Sequence, residues 1–334
     1  MSMKILVIGG SYFFGRWFVQ HAYKEHEVTV LNRGSITIGL SGVTEIRADR
    51  HNSDELCKLE IDGIGYDAVV DFCAYDEGDI SGILSWLKGA PPEKYIFIST
   101  VDVYKKGTGK ALDESAEMSD NRDICDETEA SDSTDAPGNS DTTDTSGGVD
   151  AYIKGKVKLE HELVAECKKY GIKGVSVRPV ILYGPGNYAP RESVYFEWIN
   201  KAGQIIHPVD SDGFFQMLYV SDAARGILKL CEMPGELLHD AYNFCSDEVL
   251  TYDSYEGALE KAYLKRDPSI KGGAFSKIDV PVETVLKQGI PLPFPLLKEE
   301  SEVYSGALFG GLGIDITPLS EGLYNCLKLE AGNV

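Results

Sequence analysis

Short apolar runs alternate with helix-length amphipathic stretches through the first 180 residues, and this alternation is the strongest constraint on the fold. The runs are KILVIG, EVTVLN, TEIRAD, DAVVDFCA, KYIFIST and KGVSVRPVILYG. Stretches between them, such as GRWFVQHAYKE and SGILSWLKG, carry apolar residues at helical spacing. Val- and Ile-rich strands separated by helices are typical of a parallel sheet covered on both faces. Because such crossovers are right-handed, the pattern predicts an α/β fold with a doubly wound parallel sheet that binds ligands at the carboxyl ends of its strands.

The segment GGSYFFG, residues 9–15, joins the first apolar run to the first helix. Gly9 would make the tight turn and Gly15 would let the helix pack closely, so that a pyrophosphate could sit at the helix N-terminus. Tyr12 stands where a further glycine is expected, and an empty structural turn is the alternative. The position of the loop inside a βαβ unit favours a dinucleotide site.

The second apolar run ends in Asn32 and Arg33, without a carboxylate. In proteins that use NAD, an acid at this point holds the ribose hydroxyls. A guanidinium can pair with a 2′-phosphate through two N–H groups, and no acid repels it here, so the sequence favours NADP over NAD. Arg33 could equally be a solvated surface charge. Asp49, at the end of the third run, is placed to accept a hydrogen bond from the adenine amine.

Tyr152 and Lys156 stand four residues apart at the head of an expected helix. Positions i and i+4 share one helix face, so the ammonium would lower the pKa of the phenol and let it exchange a proton near neutral pH. Thr100, at the end of the fifth run, would hold the substrate oxygen. A surface tyrosine and lysine are the alternative for this pair, but the glycine loop and the Ser-Thr at the strand end favour the catalytic interpretation.

Residues 111–150 interrupt the alternation, since they are rich in Asp, Glu, Ser and Thr and poor in large apolar residues. Such a segment cannot offset its ordering entropy, so we expect a mobile acidic surface insertion, with a lid or partner-binding arm as the alternative. After Gly184, Pro, Gly and aromatic residues become frequent. The sequence predicts an NAD(P)-binding Rossmann domain over residues 1–184. Residues 185–334 would be mainly a smaller C-terminal substrate domain, from which 215–232 return to the Rossmann sheet.

The net charge of −21 argues against broad nucleic-acid binding, because an acidic surface repels phosphate backbones. The seven cysteines form no CxxC pair, so we expect neither a disulfide framework nor a metal site. No apolar run approaches the roughly 18 residues that span a bilayer, and the start of the chain lacks the form of a signal peptide. We therefore expect a cytoplasmic protein without a membrane segment.

These segments together resemble the extended or atypical short-chain dehydrogenases/reductases (SDR), the NAD-dependent epimerase/dehydratase family. The resemblance covers roughly residues 3–265 and, more faintly, DITPLSEGLYNCL near the end. It is carried by KILVIGGSYFFG, DAVVDFCAY, YIFISTVDVY, YIKGK, RPVILYGPGN and YVSDAARGIL. The chain most resembles the branch whose loop reads GGTRFLG and whose second strand ends in NRG. That branch places a large residue at the position of Tyr12 and includes the chloroplast stem-loop-binding proteins, which are described as RNA-binding.

The resemblance implies a role for each matching residue. Thr100 aligns with the residue that hydrogen-bonds the substrate oxygen, Tyr152 with the acid/base, and Lys156 with the lysine that also holds the nicotinamide ribose. Asp102 aligns with an acid that assists dehydratases and decarboxylases, or else caps its loop. The expected cofactor-binding residues are Gly9, Gly10, Ser11, Tyr12, Phe13, Phe14, Gly15, Asn32, Arg33, Asp49, Asp71, Cys73, Ala74, Ser99, Lys156, Pro179 and Ile181.

Two departures from the family bear on the substrate. Ile181 stands where sugar-nucleotide enzymes carry an Asn, and Phe215 where they carry an Arg that grips the diphosphate. Their loss argues against a nucleotide-diphosphate-sugar substrate. Arg191 is then the candidate for holding an anionic substrate, or a surface arginine in a salt bridge, and Tyr183 is a second candidate substrate contact.

The sequence thus predicts an NAD(P)-dependent enzyme that acts on a hydroxyl- or carbonyl-bearing substrate, for example a sugar-derived one. Epimerisation or dehydration results if hydride returns to the substrate, and net oxidation or reduction if the product leaves first. The alternatives are a nucleotide- or RNA-binding module with little catalysis, and a sensor that binds NADP without turnover. The family often dimerises through the helix that carries Tyr152 and Lys156, so the resemblance implies a homodimer.

Overall fold

The structure, a computed structural model, describes residues 2–59, 65–107, 109–119 and 145–330. The strands within this part of the chain are β1 (Lys4–Ile8), β2 (Glu27–Asn32), β3 (Val43–Arg47), β4 (Ala68–Asp71), β5 (Lys94–Ile98), β6 (Lys173–Pro179), β7 (Ile181–Tyr183), β8 (Gln204–Pro208), β9 (Met217–Tyr219), β10 (Ala241–Phe244) and β11 (Ser276–Val280). Seven of them form the central sheet in the order β10-β6-β5-β4-β1-β2-β3, and all its neighbours pair in parallel.

The helices connect and cover these strands. They are α1 (Phe13–Ala22), α2 (Ser53–Leu56), α3 (Asp79–Trp86), α4 (Thr145–Tyr170), α5 (Glu192–Ala202), α6 (Val220–Glu232), α7 (Tyr252–Arg266), α8 (Val282–Gln288), α9 (Ala307–Gly310) and α10 (Leu319–Glu330). The helix expected to start at Tyr152 begins earlier, at Thr145, and runs through the sequence that carries Lys156.

Both faces of the central sheet are buried, which explains why its strands read as continuous apolar runs. In β1, Ile5 and Val7 belong to the core that includes Phe18 of α1 and Ile227 of α6. The alternate residues Leu6 and Ile8 belong to a second core, which is built with α3 and α4. Because successive side chains of a strand point to opposite faces, helices on both sides demand apolar residues at every position. The predicted doubly wound α/β fold is confirmed.

The region 215–232 differs in detail from the expectation. Its strand, β9, pairs with β7 in a separate two-stranded sheet, and its helix α6 packs against α1 over the central sheet. The strand that joins the central sheet from the C-terminal half is β10, beside β6. The four residues of β10, AYNF, are too few to give a strand pattern that stands out from the sequence around them.

A third core lies beyond the sheet, where β8 pairs with β11 and α5, α7, α8 and α10 surround them. Aromatic residues dominate this smaller unit: Tyr195 and Tyr255 lie 5.1 Å apart, and Phe215 stacks on Phe294 at 4.1 Å. The aromatic-rich composition after Gly184 therefore reflects a packed core rather than a flexible tail.

Part of the expected acidic insertion packs on the sheet. Leu112 is buried and bridges to Tyr304, and the Glu114 carboxylate accepts a hydrogen bond from the backbone N–H of Asn243. Residues 145–150 form the first turns of α4. Residues 120–144, most of the expected insertion, lie outside the described residues.

Candidate active site

The glycine loop follows β1 at the carboxyl edge of the sheet. Gly10 has φ +79°, and a Cβ there would lie 2.7 Å from Cγ1 of Val7. A Cβ on Gly15 would lie 2.5 Å from the Cα of Gly10, so helix α1 comes this close to the loop only because both residues are glycines. From the sequence, we expected a tight turn at Gly9 and a close approach of the helix at Gly15.

The N-terminus of α1 is suited to an anion. Its N-cap residue, Tyr12, makes no side-chain capping hydrogen bond, and the first turn holds no acidic residue. The first N–H groups of a helix lack intrahelical partners and carry a partial positive charge. The loop and helix therefore fit the pyrophosphate of a dinucleotide.

Tyr12 lies on the surface of this loop and faces the loop after β7. Its ring is 55% exposed and makes an edge contact with Tyr188, with ring centroids 5.7 Å apart. Phe13, which has a positive φ of 27°, makes a similar contact with Tyr188 at 6.2 Å. The residue in place of the expected glycine thus joins the glycine loop to the loop that precedes α5.

The end of β2 is polar and open. Asn32 donates a hydrogen bond from Nδ2 to Oγ of Ser11 and accepts one from the N–H of Gly34, so it ties two loops together. Arg33 is exposed. Asp49 accepts a hydrogen bond from the N–H of His51.

Asp71, expected to contact the cofactor, is instead held inside the protein. Arg50 donates to both of its oxygens, from Nη1 at 2.9 Å and Nη2 at 2.8 Å, and Tyr95 donates from its hydroxyl at 2.5 Å. Burial acts to raise the pKa of Asp71, but the charge and hydrogen bonds of Arg50 outweigh it and keep the pKa below its usual value. Cys73 lies at the edge of this group, where it donates its N–H to Asp71 and receives a long contact from Arg50.

Lys156 anchors helix α4 to the carboxyl edge of the sheet. Its side chain is buried, and Nζ donates to the carbonyls of Ala74 and Ile98, both at 2.9 Å. The ammonium also lies over the rings of Tyr75 and Phe97, 4.7 and 4.8 Å from their centroids. Burial lowers the pKa of Lys156 to about 8, so the group titrates close to neutral pH.

Tyr152 lies one turn before Lys156 and remains 42% exposed. Desolvation and the negative charge of Asp102 raise the pKa of Tyr152 to about 12, and the charge of Arg191 acts in the opposite direction. The ammonium of Lys156 lies 5.6 Å from the Tyr152 ring centroid. The charge of Arg191 favours the phenolate, in addition to the Lys156 ammonium that the sequence led us to expect.

Thr100 and Asp102 form a compact turn after β5. The Thr100 hydroxyl donates to Oδ2 of Asp102 at 3.1 Å, and the N–H of Asp102 returns a bond to the same hydroxyl. Lys106 pairs with the other carboxylate oxygen of Asp102. Ser99, expected to touch the cofactor, is buried and donates to Glu160 at 2.6 Å.

The remaining expected residues lie at the end of β6 and in β7, and they do not all face the same part of the protein. Pro179 and Ile181 are partly exposed at the carboxyl edge, as a nicotinamide contact requires. Tyr183 is buried beside Tyr219, and a Cβ on Gly322 would lie 2.2 Å from its hydroxyl. This places the Tyr183 side chain against α10, inside the smaller unit, rather than in the cleft beside Tyr152.

Three residues of this region were missed by sequence reasoning: Arg50, Tyr75 and Tyr188. A signal existed for Tyr75, because Gly155 interrupts the helical motif YIKGK and a Cβ there would lie 3.0 Å from the Tyr75 carbonyl oxygen. The glycine marks a close approach of another backbone. Nothing in the local sequence indicates that Arg50 pairs with Asp71 or that Tyr188 meets Tyr12, since these contacts cross between distant segments.

Comparison with known proteins identifies relatives with the same fold. The model of the NAD dependent epimerase/dehydratase family matches residues 5–245. The chloroplast stem-loop binding protein of 41 kDa b of Arabidopsis thaliana is 28% identical over 284 residues, which are 80% of this chain and 65% of that protein. The chain therefore spans slightly less than two thirds of that relative.

Solved structures of the same fold include nucleotide-sugar epimerases. Thermus thermophilus UDP-glucose 4-epimerase, in complex with NAD, superposes with a TM-score of 0.69 at 19% identity, over 99% of this chain and 100% of the other. UDP-glucuronic acid 4-epimerase from Bacillus cereus, in complex with UDP-glucuronic acid and NAD, gives a TM-score of 0.66 at 19% identity, over 98% and 100%. Among the described helices, none combines the length and the apolar character that crossing a membrane requires.

Proposed function

Because the chain belongs to the NAD dependent epimerase/dehydratase family of extended SDR enzymes, we propose that it oxidises or reduces a hydroxyl- or carbonyl-bearing substrate with Tyr152 as the acid/base. The observation that carries this proposal is the anchoring of α4 by Lys156. Its bonds to the carbonyls of Ala74 and Ile98 hold an exposed Tyr152 at the carboxyl edge, beside the turn of Thr100 and Asp102. Ligands of doubly wound sheets bind at this edge.

Each residue has a definite task in this proposal. Tyr152 takes the proton of a substrate hydroxyl as a carbonyl forms, or gives it back when the carbonyl is reduced. The nicotinamide ring, when bound, supplies the acceptor or donor of the hydride. Thr100 would position the substrate oxygen by turning its hydroxyl from Asp102 toward the substrate, and Lys156 would hold the ribose next to the ring with the N–H that its two carbonyl bonds leave over. With a pKa near 12, Tyr152 is protonated at neutral pH, so it is ready to donate a proton and needs a nearby cation to accept one.

The cofactor would lie along the loops described above. The glycine loop 9–15 would take the pyrophosphate, Asn32 and Arg33 the adenosine ribose, and Asp49 the adenine. A preference for NADP is part of the proposal, supported by the exposed Arg33 and by the lack of an acid at the end of β2. The solved relatives above are complexes with NAD, so assays should include both cofactors.

A homodimer, with α4 at the contact, is also proposed, and the exposed apolar side chains Val149 and Val164 on this helix support it. Cytoplasmic location stays a prediction.

RNA binding is a second candidate function, because the Arabidopsis relative is named for binding a stem-loop. The net charge of −21 opposes it.

Replacement of Tyr152 by Phe tests the catalytic proposal. We expect turnover on a panel of sugars, nucleotide sugars and hydroxy acids to fall by about two to four orders of magnitude, since general acid–base catalysis contributes that much. Cofactor affinity, measured by calorimetry, should stay unchanged. Tyr170→Phe, at the other end of the same helix, is the matched control. Equal turnover by wild type and Tyr152→Phe would overturn the mechanism.

A further inference from the structure

Arg191 is a partly buried cation that forms no salt bridge with any described carboxylate. Its Nη1 donates a long hydrogen bond, 3.4 Å, to the carbonyl of Leu182. The adjacent Glu192 is already engaged: it accepts hydrogen bonds from the N–H of Gly184 at 2.9 Å and from Asn187 at 3.1 Å. A partly buried guanidinium that makes no direct ion pair loses hydration without gaining a bound counter-ion, so its presence beside the proposed acid/base points to a ligand that carries negative charge.

This cation shares the cleft with the proposed acid/base. Arg191 immediately precedes α5, just after the loop that carries Tyr188. Its charge acts on Tyr152 together with that of Asp102, so the three groups lie within interacting distance of one another. An anion held by Arg191 would therefore belong to the same small molecule whose hydroxyl meets Tyr152.

An aromatic side chain occupies the position in the smaller unit at which an arginine would grip a diphosphate. Phe215, at the position where related enzymes would carry an arginine, is buried and stacks on Phe294 at 4.1 Å with an interplanar angle of 13°. Two basic residues of the β8–β11 pair are engaged within the protein, since His207 and Lys277 both contact the buried Glu256 carboxylate, at 2.9 and 2.7 Å. Phe215 is therefore held by aromatic packing, and His207 and Lys277 are held by Glu256.

The charge around Arg191 suits one negative charge rather than two. The first turn of α5 contains the Glu192 carboxylate, so its partial positive charge is already compensated and a phosphate dianion would be repelled. Lys106, another cation near the site, is paired with Asp102 at 3.0 Å. A planar guanidinium fork matches a single carboxylate.

We propose that the substrate is a hydroxy carboxylate without a nucleotide diphosphate, whose carboxylate pairs with Arg191 while its hydroxyl lies at Tyr152. The inference rests on the proposed function and narrows it to one substrate class. It separates this chain from the nucleotide-sugar epimerases that share its fold, because recognition would come from one charge close to the reacting carbon.

Calorimetric titration of the full-length protein saturated with NAD, and separately with NADP, tests this class directly. The probes are gluconate and 3-hydroxybutyrate, each matched with its carboxamide, together with UDP-glucose and UDP-glucuronate. We expect at least one carboxylate to bind about tenfold or more tightly than its amide, as a charge-assisted pair provides. Arg191→Met should remove this preference and Arg191→Lys should retain part of it. Lys201→Met, on the same helix, should leave it intact.

Each other result overturns the substrate class. Binding of UDP-glucuronate or UDP-glucose without binding of either free carboxylate would assign a nucleotide sugar. A carboxylate preference that survives Arg191→Met would place the anion elsewhere, and binding of neither carboxylate would remove the class. The proposed function fails in a different way: the carboxylate binds with the expected preference, but the Tyr152→Phe variant turns it over as fast as wild type.

Discussion

Two arginines at the carboxyl edge of the sheet have opposite surroundings. Arg50, between β3 and α2, donates to both oxygens of Asp71 and to the carbonyl of Asp79, and its side chain is 7% exposed. Arg191, before α5, donates one hydrogen bond among the described residues, to a backbone carbonyl at 3.4 Å. The Arg50 side chain is almost fully buried and Arg191 is partly buried, and of the two only Arg50 has a fixed counter-ion among the described residues.

The difference separates a structural cation from a ligand-binding one. Removal of one partner from a buried ion pair leaves the other as an uncompensated charge, so Arg50 and Asp71 must be kept together. A cation without a fixed partner constrains the fold less and gains its partner from a ligand. The expectation that Asp71 would contact the cofactor overlooked this distinction, since its oxygens are used by Arg50 and Tyr95.

The largest effect is expected for Arg50→Met. The variant leaves the fully buried Asp71 carboxylate without its counter-ion, so the free energy of unfolding should fall by about 3–5 kcal/mol. Urea unfolding of the full chain measures the loss. The double variant with Asp71→Asn should recover part of it, because the uncompensated charge is then gone.

Arg191→Met removes the arginine that has no fixed counter-ion, so it should change the free energy of unfolding by less than about 1 kcal/mol. Arg33→Met, at an exposed position, should change it by no more than about 0.5 kcal/mol. If Arg50→Met were as mild as these two variants, the distinction between a structural and a ligand-binding arginine would be lost.

Lys156 is intermediate between the two arginines, because it is buried and bonded to carbonyls but makes no ion pair with a described carboxylate. Burial lowers its folded-state pKa to about 8, below the value near 10.4 of an unfolded chain. Between these two values the unfolded chain binds more protons, so this group's contribution to the free energy of unfolding rises with pH. The cost of the buried charge is present below about pH 8.

The free energy of unfolding of wild type relative to Lys156→Met should therefore rise from pH 7 to pH 10.5, by up to roughly 3 kcal/mol. Urea unfolding at a series of pH values measures this difference. Lys158→Met, on an exposed position of the same helix, should give a difference that is flat over the same range. A flat profile for Lys156→Met as well would show that the lysine is not desolvated in solution.

The sequence predicted the features that depend on local pattern. The strand periodicity, the glycine loop and the four-residue spacing of Tyr152 and Lys156 are all short-range, and the structure places these elements at one edge of the sheet. The pairing of Arg50 with Asp71 and the stacking of Phe215 on Phe294 join segments that the chain brings together only on folding. A buried acid could pair with any of several bases that are distant in the sequence, so sequence spacing alone does not identify the partners.

The smallest effect is expected for Tyr12→Gly, which restores the glycine that the loop motif lacks. Tyr12 is exposed and makes no helix cap, and its contact with Tyr188 is an aromatic edge contact that contributes about 0.5–1.5 kcal/mol. Cofactor should still bind, with affinity reduced by no more than about tenfold, as calorimetry with NAD and NADP can measure. Tyr188→Ala removes the same contact from the other loop and should have a similar effect. Loss of binding in Tyr12→Gly alone would instead make this tyrosine a principal anchor of the pyrophosphate, because Tyr188→Ala removes the same aromatic contact, and the contact with Phe13 as well, but keeps the Tyr12 side chain.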